Sequence, residues 1–263
     1  MKKMTRKQFL GLGGLSILGA GALGAARAVK DAEAPRADSS SATPTNPTAK
    51  QMALAIDLRR CRQRPGCDLC SKACHAAHNV PQISDPRREV KWIWTDERFA
   101  SVFPLDQNGY TRRNYTGSPL PILCNHCERP PCVEVCPTGA TWKRSEDGVV
   151  MMDWHRCIGC KYCMTACPYG ARSFNFSDPR NTLVQITPDF PTRAPGVVEK
   201  CNLCAERLAG GKPPACVEAC PEKAIVCGNV HDASSEISMV LEESYSVRRK
   251  PELGTGPNVF YFV

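Results

Sequence analysis

Sixteen of the seventeen cysteines fall into four groups of four. In chain order these are Cys61, Cys67, Cys70 and Cys74; Cys124, Cys127, Cys132 and Cys136; Cys157, Cys160, Cys163 and Cys167; and Cys201, Cys204, Cys216 and Cys220. In the last three groups proline follows the final cysteine, as Pro137, Pro168 and Pro221. Each group contains at least one C-x2-C step, so a tight loop can present neighbouring thiolates to one small metal centre. A fourth thiolate from a distant segment then closes the cage. Soft thiolates suit two kinds of centre, iron–sulfur clusters and zinc.

The spacing separates the candidates. Structural zinc sites come as two separated C-x2-C pairs, whereas here close cysteines recur with x3-Cys-Pro at the end. A disulfide framework is the other use of many cysteines in an exported chain, but regular C-x2-C steps are not the usual structural disulfide. The third group, Cys157-x2-Cys160-x2-Cys163-x3-Cys167-Pro168, is the bacterial ferredoxin run, whose fourth cysteine ligates the neighbouring cluster. Four such groups imply four [4Fe–4S] clusters and a chain that carries electrons.

The groups alternate between two kinds. Asp57-Leu58-Arg59-Arg60-Cys61 and Asp153-Trp154-His155-Arg156-Cys157 share D-x-x-R-C. Cys124-Asn125-His126-Cys127 matches Cys201-Asn202-Leu203-Cys204, and Cys132-Val133-Glu134-Val135-Cys136-Pro137 matches Cys216-Val217-Glu218-Ala219-Cys220-Pro221. The plan is therefore A-B-A-B, an internal duplication. It aligns Cys61 with Cys157 despite the wider first spacing, and makes part of 62–66 a loop insertion. It gives Cys227 no counterpart, so Cys227 is expected as a buried thiol on a strand. His75 replaces the proline after Cys74 and is read as an ordinary substitution. Arg60, Arg156, Lys161 and Lys200 adjoin ligands, where a cation either raises a cluster's potential or faces solvent.

The formal charge of +8 suggests nucleic acid but misleads. Lys2, Lys3, Arg6, Lys7 and Arg27 lie within 1–28, which hold no acid, so the remainder carries +3. Each oxidised cluster with its four thiolates adds about −2, which brings the loaded mature chain to about −5. Basicity then gives no ground for a nucleic-acid partner. No G-x-G-x-x-G or G-x-x-x-x-G-K-[ST] fingerprint follows the first residues, and no acid–base pair is compelled, so the chain reads as non-catalytic.

Residues 1–28 read as an export signal: a basic start, a Gly/Ala-rich apolar run over 9–26 and an A-x-A-like site at Ala26-Arg27-Ala28. Thr5-Arg6-Lys7-Gln8-Phe9-Leu10 is similar to a twin-arginine motif with Lys7 in place of the second arginine. Export in the folded state suits a chain whose clusters are assembled in the cytoplasm. Residues 29–50, rich in Ala, Ser, Thr and Pro, read as a flexible linker. Beyond them, strands are expected over 52–57, 89–94, 140–143, 149–153 and 259–263, with a turn at 145–148. Short helical turns are expected at 164–167 and 217–220, and a helix over 233–243. The fold class is α+β, loop-rich, with short β-hairpins and short helices organised by the clusters.

On its four cysteine groups the chain resembles the four-cluster ferredoxin-like electron-transfer subunits of the dimethyl-sulfoxide-reductase type. That resemblance implies two ferredoxin-like modules of two clusters each, one over 120–178 and the other formed by 51–119 with 179–263. It also implies the ligand sets. One cluster takes Cys124, Cys127, Cys132 and Cys167, and its neighbour Cys157, Cys160, Cys163 and Cys136. A third takes Cys201, Cys204, Cys216 and Cys74, and the last Cys61, Cys67, Cys70 and Cys220. A narrower resemblance lies in His78-Asn79-Val80-Pro81, Lys91-Trp92-Ile93-Trp94, Ala171-Arg172-Ser173-Phe174-Asn175 and Arg248-Arg249-Lys250-Pro251-Glu252-Leu253-Gly254-Thr255. These segments look like the periplasmic iron–sulfur subunit of the Dsr membrane complex of sulfur metabolism. The implied partners are a quinone-interacting integral membrane subunit and a multihaem cytochrome c or other redox subunit. Sister subunits of molybdopterin, nitrite, tetrathionate and polysulfide reductases share parts of these segments.

Overall fold

The computed structural model of the chain describes residues 50–104, 108–183 and 185–263. The expected export signal, and the linker up to residue 49, lie outside the described residues. Among the described residues there are ten short strands, eight of which flank the cysteine loops: β1 (Met52–Asp57), β2 (Ile93–Asp96), β3 (Leu120–Leu123), β4 (Thr141–Lys143), β5 (Val150–Met152), β6 (Ser173–Phe174), β7 (Val198–Glu199) and β8 (Ile225–Asn229), followed by β9 (Ser246–Val247) and β10 (Val259–Phe262). Short helices fill the spaces between them, giving the mixed, loop-rich α+β architecture. The described residues form a single compact unit.

The duplication is written into the strand pairing. The strand before the first cysteine group, β1, pairs antiparallel with β8, which follows the fourth group. In the same way β5, before the third group, pairs with β4, which follows the second. The strand after the first group, β2, pairs with β3 before the second, and β6 after the third pairs with β7 before the fourth. Strands around A-type groups thus always pair with strands around B-type groups. The C-terminal strands extend only one copy, giving the sheet order β8-β1-β10-β9 with β10 parallel to β1.

The sequence of β1 explains its central place. Met-Ala-Leu-Ala-Ile-Asp is apolar on both faces, as a strand covered on both sides must be. Leu54 and Ile56 enter the main core with Trp92, Leu58 and the cysteines. On the other face the small Ala53 and Ala55 admit Ile237 from the helix Glu236–Glu243. That helix starts later than the expected 233, because the Ser235 hydroxyl caps it by accepting from the Ser238 N–H.

Residues 89–94 depart from expectation. Val90 and Trp92 are buried as the alternation suggests, yet the ladder begins only at Ile93. The Lys91 N–H is taken by Ser173 Oγ and the Trp92 indole by Glu199, so side chains rather than a partner strand hold the segment before Ile93. Alternation reports which side chains are buried; it says nothing of what receives the backbone.

A buried ionic clamp joins these segments. Arg193 and Glu199 are both fully buried and pair at 2.6 Å. Glu199 also accepts from Trp92 Nε1 and Asn175 Nδ2, and Arg193 donates to the carbonyls of His78, Asn79 and Pro191. The guanidinium lies over the rings of Trp92, Trp154 and Phe190. Removing one partner of such a pair strands the other in low dielectric. Glu199→Gln or Arg193→Met should therefore cost about 3–5 kcal/mol, read as a lowered denaturant midpoint of the cluster-loaded protein. A change confined to experimental error would remove the clamp from the stability account.

Candidate metal centres

The D-x-x-R-C repeat is a structural device. Asp57 accepts from the backbone N–H groups of Arg59 and Arg60, and Asp153 accepts from those of His155 and Arg156. Each carboxylate thereby fixes the turn that presents Cys61 or Cys157. The arginines of the motif return to the same aspartates at 3.7 and 3.4 Å, with about half or more of each side chain in solvent. In the C-N-x-C repeat the x residue takes a left-handed conformation, φ 41° at His126 and 58° at Leu203. Gly159 provides the same turn in the third group at φ 70°, and a Cβ there would meet the Gly196 carbonyl oxygen at 2.3 Å.

These loops gather sixteen cysteines into four cages. Cys61, Cys67, Cys70 and Cys220 line one cavity of about 380 Å³ with Pro119, Pro121 and Pro221. Cys74 lies against Cys201, Cys204 and Cys216, all four of them buried. Cys124, Cys127, Cys132 and Cys167 line a third cavity of about 330 Å³. Cys136, Cys157, Cys160 and Cys163 line a fourth of about 280 Å³. In each cage three cysteines come from one group and the fourth from another. We number the cages one to four in this order.

The donor set fits an iron–sulfur cluster. Burial pushes the Cys61 thiol up to about 12, and its neighbours Cys220, Cys70 and Cys67 push in the same direction. Burial likewise takes Cys127 to about 12 and Cys70 to about 11. Four sulfurs packed this way repel as thiolates, and only a cationic core among them reverses the sign. Backbone N–H groups already point at sulfur: Leu203 at Cys201 Sγ, Ala215 at Cys204 Sγ and Ala224 at Cys220 Sγ, at 3.2–3.4 Å. In the third cavity the buried Asn125 amide has neither its nitrogen nor its oxygen satisfied by protein, as expected of a group that faces bound cofactor.

Among the cations singled out by sequence, only Lys200 is buried, at 1% exposure. Its Nζ donates to the carbonyls of Val150 and Cys201. Burial pulls its pKa down, and Cys124, Cys201 and Cys132 oppose that pull. Lys161 instead lies over the rings of Phe174 and Phe176 at 4.1 and 4.5 Å. His75 lines an open cleft with Pro81, Glu89 and Val90 that holds no cysteine, and burial keeps its pKa below the usual value.

Two participants carry no sequence signal of their own. Arg172 Nη2 donates to Cys132 Sγ at 2.9 Å. His78, fully buried, places Nδ1 2.8 Å from the Cys74 carbonyl and Nε2 2.8 Å from Glu206 Oε1. Burial alone would lower its pKa, but hydrogen bonds to Cys204 and Glu206 raise it to about 9. His78, Cys204 and Glu206 also have the makings of a separate cation site. Cys204 belongs to the second cage, however, so His78 is better described as a donor beside that cage. His78 follows Cys74 by four residues and Arg172 follows Cys167 by five, yet the sulfurs they approach, on Cys204 and Cys132, come from distant groups.

Residues 116–182 and 156–225 match families described as 4Fe-4S dicluster domains. The chain is 44% identical over 232 residues to the Hdr-like menaquinol oxidoreductase iron–sulfur subunit 1 of Archaeoglobus fulgidus, covering 81% of this chain and 83% of that protein. The chain belongs to the iron–sulfur subunits of the dimethyl-sulfoxide-reductase type. The family extends to the menaquinone reductase iron–sulfur cluster-binding subunit of Nitratidesulfovibrio vulgaris, 35% identical over 79% of this chain and 87% of that one. A tetrathionate reductase subunit of Salmonella typhimurium is 37% identical over 80% of this chain and 71% of its own length. As an iron–sulfur subunit of this family, the protein carries four [4Fe–4S] clusters and transfers electrons within a membrane-associated oxidoreductase complex. It is not the catalytic subunit. No helix among the described residues is long and apolar enough to cross a membrane.

Cys227 lies on β8 opposite Leu54, and burial pushes its thiol up to about 12. It lines none of the three sulfur cavities above. Cys227→Ser should leave iron and sulfide content unchanged by chemical assay. Loss of about a quarter of the iron, the share of one cluster in four, would make it a ligand. Chelating the iron under reducing conditions should bleach the visible absorbance and collapse the near-ultraviolet circular dichroism together, because the metal core supplies the main positive charge that holds the four sulfurs of a cage together.

Proposed function

We propose that the protein is the periplasmic electron relay of a Dsr-type membrane complex. It passes single electrons between a quinone-interacting membrane subunit and a multihaem cytochrome c or other redox subunit. The observation that carries the relay is the succession of cages. Cys70 of the first cage adjoins Cys74 and Cys216 of the second. Cys201 of the second has Cys124 of the third as its leading electrostatic neighbour. The helix Pro131–Glu134 carries Cys132 of the third cage and leads directly to Cys136 of the fourth.

Each bound cluster supplies one reversible electron acceptor. The chain's own residues supply spacing, burial and hydrogen bonds to sulfur, which set the potentials. We assign the ligands by cage: Cys61, Cys67, Cys70 and Cys220; Cys74, Cys201, Cys204 and Cys216; Cys124, Cys127, Cys132 and Cys167; and Cys136, Cys157, Cys160 and Cys163. The two ends differ. At the fourth cage Cys160 is exposed beside Ile158 and Tyr162, both more than half exposed, whereas the first is flanked by Arg59, Arg60 and Arg64. Two different partner surfaces fit two such ends.

The quinone-reactive neighbour is supported by relatives named for menaquinol and menaquinone. The periplasmic location rests on the twin-arginine-like start of 1–28, and the Dsr-type assignment on the four segments outside the cysteine groups. A second reading, the iron–sulfur subunit of a molybdopterin-type reductase, is favoured by relatives named for tetrathionate and arsenate reductases.

Purification of the native complex and mass spectrometry of its subunits separates the two. A multihaem cytochrome c and a quinone-reactive membrane protein are expected, and a stoichiometric molybdopterin subunit in their place would overturn the Dsr-type assignment. The ligand sets predict that Cys167→Ser and Cys124→Ser perturb the same electron paramagnetic resonance signal, and Cys160→Ser a different one. If Cys167→Ser and Cys160→Ser share a signal instead, the cross-pairing is wrong.

A further inference from the structure

Two buried cations occupy the junctions on either side of the third cage. Arg172, 5% exposed, donates through Nη2 to Cys132 Sγ at 2.9 Å and Thr141 Oγ1 at 2.8 Å. Its Nη1 lies 3.8 Å from Met152 Sδ. Arg172 lines the third cavity while Met152 lines the fourth, and the same guanidinium also reaches Cys163 of the fourth cage. Lys200 stands at the other junction. It is bonded to the carbonyl of Val150, which lines the third cavity, and to that of Cys201 in the second cage.

Neither cation has a carboxylate partner among the described ion pairs. Most other charged groups near sulfur have one, while Lys161 and Arg249 lie over aromatic rings instead. Arg193 is neutralised by Glu199, His78 faces Glu206, Arg59 and Arg60 share Asp57, and Arg64 meets Glu222. A buried cation without an anion is strongly unfavourable unless negative charge lies close by. For both, the only negative charge at hand is sulfur. The fourth cage shares Arg172, and the second shares Lys200. The third receives both, together with the orphaned Asn125 amide and a hydrogen bond from Thr255 to Cys127.

We propose that Arg172 and Lys200 make the centre held by Cys124, Cys127, Cys132 and Cys167 the highest-potential member of the relay, where the first electron to enter the chain comes to rest. This rests on the relay reading above. The step moves one electron: a one-electron donor at one end of the chain is oxidised, and the third centre gains one unit of negative charge. No proton need accompany it, because the compensating charge is already in place and a guanidinium does not deprotonate. Arg172 and Lys200 are positioning residues, acting on the reacting centre through its sulfur ligands and the field of their charge. The relay so built has its well inside the chain, one cage from the exposed Cys160 end, rather than at either terminus.

The test is potentiometric titration of the cluster-loaded protein followed by electron paramagnetic resonance, the third centre's signal being identified by its loss in Cys124→Ser. In the unaltered chain that signal should appear with the first reducing equivalent. In Arg172→Met and in Lys200→Met its reduction equilibrium should weaken at least tenfold, about 59 mV for one electron. Arg172→Lys should recover most of that shift, which a packing role alone would not produce. The first centre's potential should not move in any of these variants. Should Arg172→Met fail to load iron, Lys200→Met and Arg172→Lys carry the test. First reduction at another centre, or an unchanged third potential in Lys200→Met, overturns the proposal with the relay intact. Fewer than four clusters in the unaltered protein overturns the relay reading itself.

Discussion

Everything in this structure depends on keeping mutually repelling sulfurs together, most of them in cages the protein closes off from water. As thiols they are harmless but purposeless, and burial holds several of them, Cys61, Cys74, Cys127, Cys201 and Cys216 among them, above their normal pKa. As thiolates they need a cationic core at the centre of each cage. Loading iron is therefore the event that converts an unfavourable cluster of donors into the stabilising interior of the protein. The core is shared between aliphatic and aromatic side chains and the cysteines of the cages themselves.

Because each cage borrows its fourth sulfur from another group, no group is complete by itself. The first cage takes Cys220 from far along the chain, and the second takes Cys74 from far back. Strand pairing obeys the same rule: β1 needs β8, and β5 needs β4. One copy closes through local contacts and the other only after the chain has returned on itself. The C-terminal segment then seals the third cage. Asn258 donates from its N–H to the Asn125 carbonyl and from its side chain to that of His126, while Thr255 meets the Tyr169 hydroxyl at 2.5 Å.

Charge is distributed according to purpose. Where a buried ion serves architecture, it is neutralised by a counter-ion, as Arg193 is by Glu199. Where arginines lie on the surface near the first cage and beside Cys157, acids answer them, as Asp57, Glu222 and Asp153 do. Arg172 and Lys200 depart from both patterns, and they are the two that touch the ligand sulfurs or their carbonyls. A fixed buried cation at such a position biases every electron that passes, at no cost in proton movement. Proximity in sequence is a poor guide to that role: Arg60 and Arg156 immediately precede ligands and point into water.

The sequence by itself determined the chemistry, because metal ligation is a property of residue type and spacing. Four cysteine groups, the A-B-A-B repeat and the place of Cys61 could be read from it, whereas Cys227, expected apart from the groups, lies on β8 beside Cys204 and Cys216 of the second cage. The strand β1, whose apolar run has one structural use, could be read as well. The tertiary structure decided what surrounds the sulfurs. It moved the start of the strand expected at 89–94 to Ile93, because the Lys91 N–H before it is taken by the side chain of Ser173. It turned Arg172 and His78, which are not ligands, toward sulfurs of distant groups, left the Asn125 amide of a C-x2-C step facing the third cage, and separated Lys200 from Arg60, Arg156 and Lys161, which look equivalent on paper. Spacing along a chain encodes which atoms can bind a metal. Burial and through-space charge, which tune the metal once bound, exist only after the chain has folded.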